Sequence, residues 1–298
     1  MMVGTLDLES WWHDKSPHMQ VFALFTASTC CFASMLACNK GLGDYPIVGT
    51  VFFRNFIAWL VVVATLAGTA KMGELRTKRV FDHFLRGLLG ASSMWCIFAA
   101  YHYLPMAEAS AIGHSQPIFL AVLSVLLLGE RSLRHRWYGV GAGFLGVLIM
   151  LDPHGAGLGV GSGLALVGAL LSAGAMIMVR RLGRTESSGT VVFYFMAWGS
   201  VVSGLLLPFY WRTPTATEAL LLTGTGVLGG VGQLLMVQGY RIGEASLVAS
   251  LNYLQLLWSA LFGFFIWSEI PRMPVIVGVA IILASQVLMI RAESRLPT

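Results

Sequence analysis

With 298 residues, 56% of them apolar and only 11% charged, the chain lacks the charge to cover a water-soluble globule of its size, and its mean hydropathy of +0.75 points to lipid as its main solvent. The formal net charge of +5 lies in short basic clusters between apolar runs with no aromatic-basic module around them, so membrane topology explains it better than nucleic acid does. Cys30, Cys31, Cys38 and Cys96 all fall inside apolar runs at no metal-binding spacing and are expected to behave as small hydrophobes.

A hydrocarbon core of about 30 Å takes about 20 apolar residues per helical crossing. Residues 1–17 are polar, with Trp11 and Trp12 suited to the headgroup belt, and lack the basic start and apolar stretch of a cleavable signal peptide. Apolar runs then predict helices from His18 to Asn39, Pro46 to Gly68, Phe81 to Tyr103, Ala107 to Leu128 and Trp137 to Leu151. A second set runs from Gly161 to Val179, Thr190 to Tyr210, Ala219 to Tyr240, Ala245 to Trp267 and Val275 to Ile290. The expected fold is all-α with ten membrane crossings: a first five-helix repeat over 18–152, a second over 153–291, and a short tail at 292–298.

The breaks between runs alternate in charge. Lys15, Lys71, Arg76, Lys78, Arg79, Arg86, Arg131, Arg134, Arg136, Arg180, Arg181, Arg184, Arg241, Arg291 and Arg295 fall on one face, against Lys40, Arg212 and Arg272 on the other. Lysine and arginine in short loops are retained in the cytoplasm, which predicts a multi-pass membrane protein with both termini cytoplasmic.

Five crossings per half require a duplicated half to enter the membrane from the opposite side. A shift of 139 residues superimposes Gly87 on Gly226, Gly90 on Gly229, Tyr101 on Tyr240, Gln116 on Gln255, Glu130 on Glu269 and Gly139 on Gly278. A shift of 140 places Gly49-Thr50-Val51 on Gly189-Thr190-Val191. These matches, at equivalent places in the helices, predict an inverted repeat.

The stretch from Ala100-Tyr101 through Pro117 to Gly129-Glu130, followed by a basic loop and a short glycine-bearing helix, is repeated from Gly239-Tyr240 to Ser268-Glu269. With Arg54 in the second helix, it resembles the drug/metabolite transporter superfamily, specifically its family with two EamA domains. Leu256 stands where the second half would match Pro117, a departure that leaves open whether the two helices bend alike. The resemblance covers nearly the whole chain. It implies a ten-helix bundle with a central cavity between the first four helices of each half and the fifth and tenth helices outside. It also implies a small metabolite as cargo, with the bacterial amino-acid exporters, including the aromatic amino acid exporter, as the nearest general type.

Polar groups in hydrocarbon are costly unless paired or facing a watery cavity, so they are the first candidates for transport. His114 and Gln116 on the fourth helix align with Tyr253 and Gln255 on the ninth, beside Asn252. Positions two apart point to different sides of a continuous helix, so His114 and Gln116 are not expected to face one solute together. The two glutamines suit either substrate contact or interhelical hydrogen bonding; His114 suits either proton coupling or a neutral hydrogen-bonded role. Trp95, Tyr101, Tyr103, Tyr194, Trp198 and Trp258 are candidates for an aromatic cavity wall, each also suited to plain packing. Arg54 is read as the one arginine set well inside an apolar run, its partner either a solute carboxylate or helix-end carbonyls. Glu108 and Glu244 near helix starts are read as caps, and Gly139-x3-Gly143 and Gly226-x3-Gly230 as close-packing scaffold.

A membrane enzyme using Ser92 or Ser93 with His102 or His114 is the rival class, but no metal-protease motif, phosphate loop or intramembrane aspartate pair supports it. The expectation is a monomeric carrier of small molecules in a lipid bilayer, with no nucleic acid, cofactor or metal. The expected cargo is an exported aromatic or other neutral amino acid, the alternative an imported vitamin or nucleoside. With no acidic residue in mid-membrane, movement is expected to be facilitated rather than proton-driven.

Overall fold

The computed structural model describes residues 17–68, 75–128, 134–151, 159–242 and 251–293. Within them the chain is helical throughout, with no strand. The first half contains α1 (Pro17–Gly41), α2 (Ile47–Gly68), α3 (Val80–Tyr103), α4 (Met106–Gly113), α5 (Gln116–Leu128) and α6 (Arg134–Leu151). The second contains α7 (Val160–Leu182), α8 (Ser188–Tyr210), α9 (Ala216–Ile242), α10 (Leu254–Trp267) and α11 (Met273–Glu293). Seven spans, one of them α4 and α5 taken together, are long and apolar enough to cross a membrane; Gly141–Leu151, Leu254–Trp267 and Met273–Ser285 are shorter apolar helices among the described residues. Seven spans and three shorter helices stand where ten crossings were predicted, and two of the shorter ones, Gly141–Leu151 and Met273–Ser285, fall in the fifth and tenth predicted runs, the shortest of their halves. Glu130 and Glu244 lie outside the described residues.

The helices turn large apolar side chains outward, where lipid is the solvent: Phe81, Leu205, Phe209, Leu220 and Phe265 are all exposed. Inward, small and hydroxylated residues let helices approach closely. Ser28, Ser93, Ser110, Ser203 and Ser259 are buried, and Ser28 and Ser93 donate across helices to the carbonyls of Gly232 and Gly168, at 2.8 and 2.7 Å. The four cysteines are free and half-buried in these seams.

The most extensive helix packing joins one half of the sequence to the other: α3 with α7, α1 with α9, α2 with α8, and α6 with α11. Glycine permits two of these crossings. A methyl group on Gly226 would come within 2.5 Å of the Ile57 Cβ, and one on Gly146 within 2.8 Å of the Gly278 carbonyl oxygen. The expected scaffold glycine Gly226 therefore sits in an α9–α2 contact, while the seam between α6 and α11 runs through Gly146 and Gly278.

The fourth predicted helix is two helices. His114 and Ser115 form a turn between α4 and α5, closed by Ser115 N–H to the Ile112 carbonyl (3.0 Å) and Ile118 N–H to the Ser115 carbonyl (2.9 Å). Pro117 follows in the first turn of α5, where its missing N–H would have no intrahelical acceptor anyway. The equivalent place in the second half is also interrupted: Tyr253 forms a turn between helical Asn252 and Leu254. Leu256 in place of a proline does not abolish the break.

A central cavity between the two halves

A cavity of about 480 Å³ lies between the halves, with walls from α1, α3, α4, α5, α7, α8, α9 and the start of α10. Along α3 it extends from Arg86 to Tyr101, roughly 22 Å at the ~1.5 Å rise of an α-helix. Met35, Met94, Met176, Met236, Phe32 and Phe98 give it a soft apolar and aromatic wall.

Six of the residues singled out in the sequence meet at this cavity: Tyr101, His114, Gln116, Asn252, Tyr253 and Gln255. His114 and Gln116 both line it, against the expectation for a continuous helix, because the break at His114–Ser115 resets the facing of the residues beyond it. The His114 Nδ1 lies 2.8 Å from the Ser110 carbonyl oxygen, and the imidazole also meets the backbone of Asn252. The rings of His114 and Tyr253, matched through the internal repeat, stand 5.8 Å apart between centroids. The Tyr253 hydroxyl is buried with no hydrogen-bond partner. The Tyr101 hydroxyl joins those of Ser110 and Ser259, with Ser259 donating to Ser110 at 3.2 Å. This hydroxyl cluster ties α3, α4 and α10 together at one end of the cavity.

The other three are placed elsewhere. Trp95 packs beside Phe98 and Met35 without reaching the cavity wall. Trp198 lies edge-on to Phe84, 5.2 Å between centroids, and against Gly87 at the α3–α8 contact. Arg54 is 2% exposed and outside the lining, with Nη1 donating to the Asn55 Oδ1 at 3.0 Å and lying 3.2 Å from the Met196 sulfur. Among the described residues its side chain meets an amide oxygen on α2 and a sulfur on α8. Of the further aromatic candidates, Tyr103 is exposed, Tyr194 donates to the Leu75 carbonyl at 3.0 Å, and Trp258 stacks on Phe262 at 6.4 Å.

Arg86 corrects the reading of Arg54 as the one arginine set well inside an apolar run. Counted as a loop charge in the sequence, it stands nearly two turns inside α3, is 8% exposed and lines the cavity. Its guanidinium carbon sits 4.0 Å from the centroid of the Phe195 ring, and Arg54 lies 6.0 Å from the same ring. The signal available in the sequence was its distance from the helix start and the small residues Gly87 and Gly90 beside it, which make room for Trp198 and Phe195. Gln233, also buried and lining the cavity, was missed because the shift of 139 residues puts it on Met94, so the internal repeat did not single it out as it did Gln116 and Gln255.

Opposite the basic clusters, the ends of the halves are joined by charge. Lys40 pairs with Glu269 and donates to the Leu104 carbonyl at 3.0 Å, while the second Glu269 oxygen accepts the Met106 N–H at 2.8 Å. Glu108, read from sequence as a helix cap, instead accepts two hydrogen bonds from Arg272, at 2.6 and 2.7 Å. Arg212 pairs with Glu218. The three basic residues assigned to this face are thus all neutralised. Ser93, half of the imagined serine–histidine pair, spends its hydroxyl hydrogen on Gly168.

An all-helical bundle with an apolar exterior and a largely apolar cavity, its polar groups drawn from both halves, fits the class of membrane transporters, and comparison with known proteins gives the family. The EamA-like transporter family model matches twice, at residues 18–152 and 159–291. The chain belongs to that family, and so to the drug/metabolite transporter superfamily: it is a multi-span membrane protein of a family of small-molecule transporters. Among its relatives, the pseudopaline exporter CntI of Pseudomonas aeruginosa is 29% identical over 255 residues, covering 83% of this chain and 87% of that protein. The S-adenosylmethionine uptake transporter of Rickettsia bellii is 30% identical, covering 82% and 84%; the riboflavin transporter of Vibrio cholerae is 27% identical, covering 84% and 85%. These names are those of transporters, not enzymes. A solved crystal structure shares the fold with a TM-score of 0.66 at 20% identity, over 93% of this chain and 99% of that one.

Proposed function

We propose that the chain is a monomeric alternating-access carrier of the bacterial inner membrane, built as ten crossings in two inverted repeats with both termini cytoplasmic. Its cargo is a small metabolite with a polar head and an apolar or planar body, bound in the central cavity. The observation that carries this reading is that cavity. Its polar wall takes His114 and Gln116 from one half and Asn252, Tyr253 and Gln255 from the other, so rocking one half against the other would take the site apart and rebuild it for the opposite side. The Lys40–Glu269 and Arg272–Glu108 pairs join the halves at the face opposite the basic clusters, which fits a conformation closed there and loaded from the basic face.

An amino acid, aromatic or neutral, remains a fitting cargo on the sequence reading. About 480 Å³ lies within the ~300–1,000 Å³ usual for drug-sized ligands, however, and the relatives named for S-adenosylmethionine and riboflavin favour an amino-acid derivative or a vitamin of larger size. The direction of net movement follows the gradient, as in a facilitator. Counterflow in proteoliposomes preloaded with phenylalanine, methionine, S-adenosylmethionine or riboflavin tests the reading. At least one of these should exchange saturably, and Q116A and Q255A should each slow that exchange by about tenfold, the effect of one lost polar contact of ~1.4 kcal/mol. Exchange of none of the four, or exchange untouched by both substitutions, would overturn the reading.

A further inference from the structure

Among the described residues, no carboxylate pairs with the Arg86 guanidinium. It is more than nine-tenths buried, and its Nε and Nη1 have no hydrogen-bond partner. The Phe195 ring gives the cation a π face 4.0 Å away, but a phenyl ring carries no oxygen or nitrogen to accept from the guanidinium donors. The nearest acidic residue along α3, Asp82, is held by Arg79 at 2.8 Å. Among the residues that line the cavity there is no aspartate or glutamate. A second cation, Arg54, on the same phenyl ring deepens the positive field. An uncompensated buried cation costs several kcal/mol, and it persists here at the wall of a site built to receive a solute.

We propose that Arg86 anchors a carboxylate of the transported solute. This rests on the carrier reading above and narrows its cargo: the solute brings the missing negative charge, and Arg86 selects acids over neutral analogues. A carboxylate suits the site better than a phosphate ester does. One guanidinium lines the cavity, the rest of the polar wall being amides, hydroxyls and an imidazole, and the planar fork of arginine matches the two oxygens of a carboxylate. With the acid group held at Arg86, the length of the cavity toward Tyr101 and its methionine and aromatic wall remain for the body of the solute. Phe195 lies against the anchor, and the bare backbone of Gly90 gives that ring its place.

The test compares acids with their carboxamides: methionine with methioninamide and phenylalanine with phenylalaninamide, beside S-adenosylmethionine and riboflavin, in counterflow through the full-length protein in phosphatidylcholine vesicles free of anionic lipid. The wild type should prefer acid to amide by about tenfold or more in KM, as expected for a charge-assisted pair. R86Q should bring that ratio below about twofold, and R86K, which keeps the charge without the fork, should fall between. An amide carried as well as its acid, or an R86Q protein as selective as the wild type, overturns the proposal. Riboflavin, which has no carboxylate, moving alone would overturn the anchor while sustaining the carrier. An acid preference that appears only when anionic lipid is removed or added would assign the site to a lipid headgroup and overturn it as well. If nothing in the panel exchanges, the carrier reading fails for this cargo, and thermal unfolding of the ligand-free protein decides the anchor: R86Q should raise the midpoint by about 2 °C or more, because it removes an uncompensated charge. A lower midpoint would show a packing role instead and overturn the proposal.

Discussion

Arg86, Phe195 and Gly90 act as one unit, because the ring that stacks on the guanidinium stands where a side chain at position 90 would have to go. Gly90→Ala should therefore displace Phe195 toward the cavity. Overpacking of this kind costs about 1–3 kcal/mol, so a lower unfolding midpoint in detergent is expected together with a raised KM in counterflow; an unchanged midpoint would mean that the ring has room to yield. Tyr101 makes a gentler case. Its hydroxyl shares a cluster with Ser110 and Ser259 in a buried position, so Tyr101→Phe keeps the packing and removes about 1 kcal/mol of hydrogen bonding, measurable as a small fall in thermal stability. Tyr101 was legible in the sequence as a repeated residue. Arg86 was marked only by its distance from the helix start and its glycine neighbours, a pattern that sets it inside the helix without showing which neighbours on other helices it meets.

The broken helix of α4 and α5 decides which polar residues meet. In one continuous helix His114 and Gln116 would diverge by about 200°; the turn at His114–Ser115 lets both line the cavity. The sequence marked the place with Pro117, but proline is not what interrupts the second half, where Leu256 occupies the matching position. Pro117 sits in the first turn of α5, so Pro117→Ala should not bring the gain of about 3 kcal/mol expected on relieving a mid-helix proline. It should instead lower stability by about 0.4–1 kcal/mol through the freer unfolded chain, and unfolding midpoints of the two proteins distinguish these outcomes. The helices themselves were legible because each has a long apolar run. The break was not, because two short helices in line present the same hydropathy as one long helix.

Across the whole molecule, the two charge pairs between halves are the feature that links packing to transport. Removing Arg272 leaves Glu108, which is 2% exposed, without its partner. Arg272→Ala should cost about 1.5–3 kcal/mol and weaken closure at that face. The check is labelling by a membrane-impermeant thiol reagent of a cysteine introduced at Tyr101 in reconstituted protein: labelling from the face opposite the basic clusters should rise several-fold over the parent with Arg272 intact. No rise would place the barrier elsewhere. Charge reversal at both Lys40 and Glu269 should recover more stability than either reversal alone, as double-mutant analysis of a coupled pair requires.

The sequence by itself determined the class of solvent, the approximate places of the helices, the alternation of charge between faces and the match between halves. Each follows from local composition or from spacing along one chain, since apolar length and basic loops act before any helix meets another. Tertiary structure alone decided that Arg86 rather than Arg54 lines the cavity, that Trp95 and Trp198 are packing residues, and that Glu108 pairs with Arg272 instead of capping its own helix. Those outcomes depend on which faces of helices far apart in sequence come together. In an apolar chain whose helices all resemble one another, that choice is made by shape: where a glycine admits a ring, and where a buried charge finds its partner or is left without one.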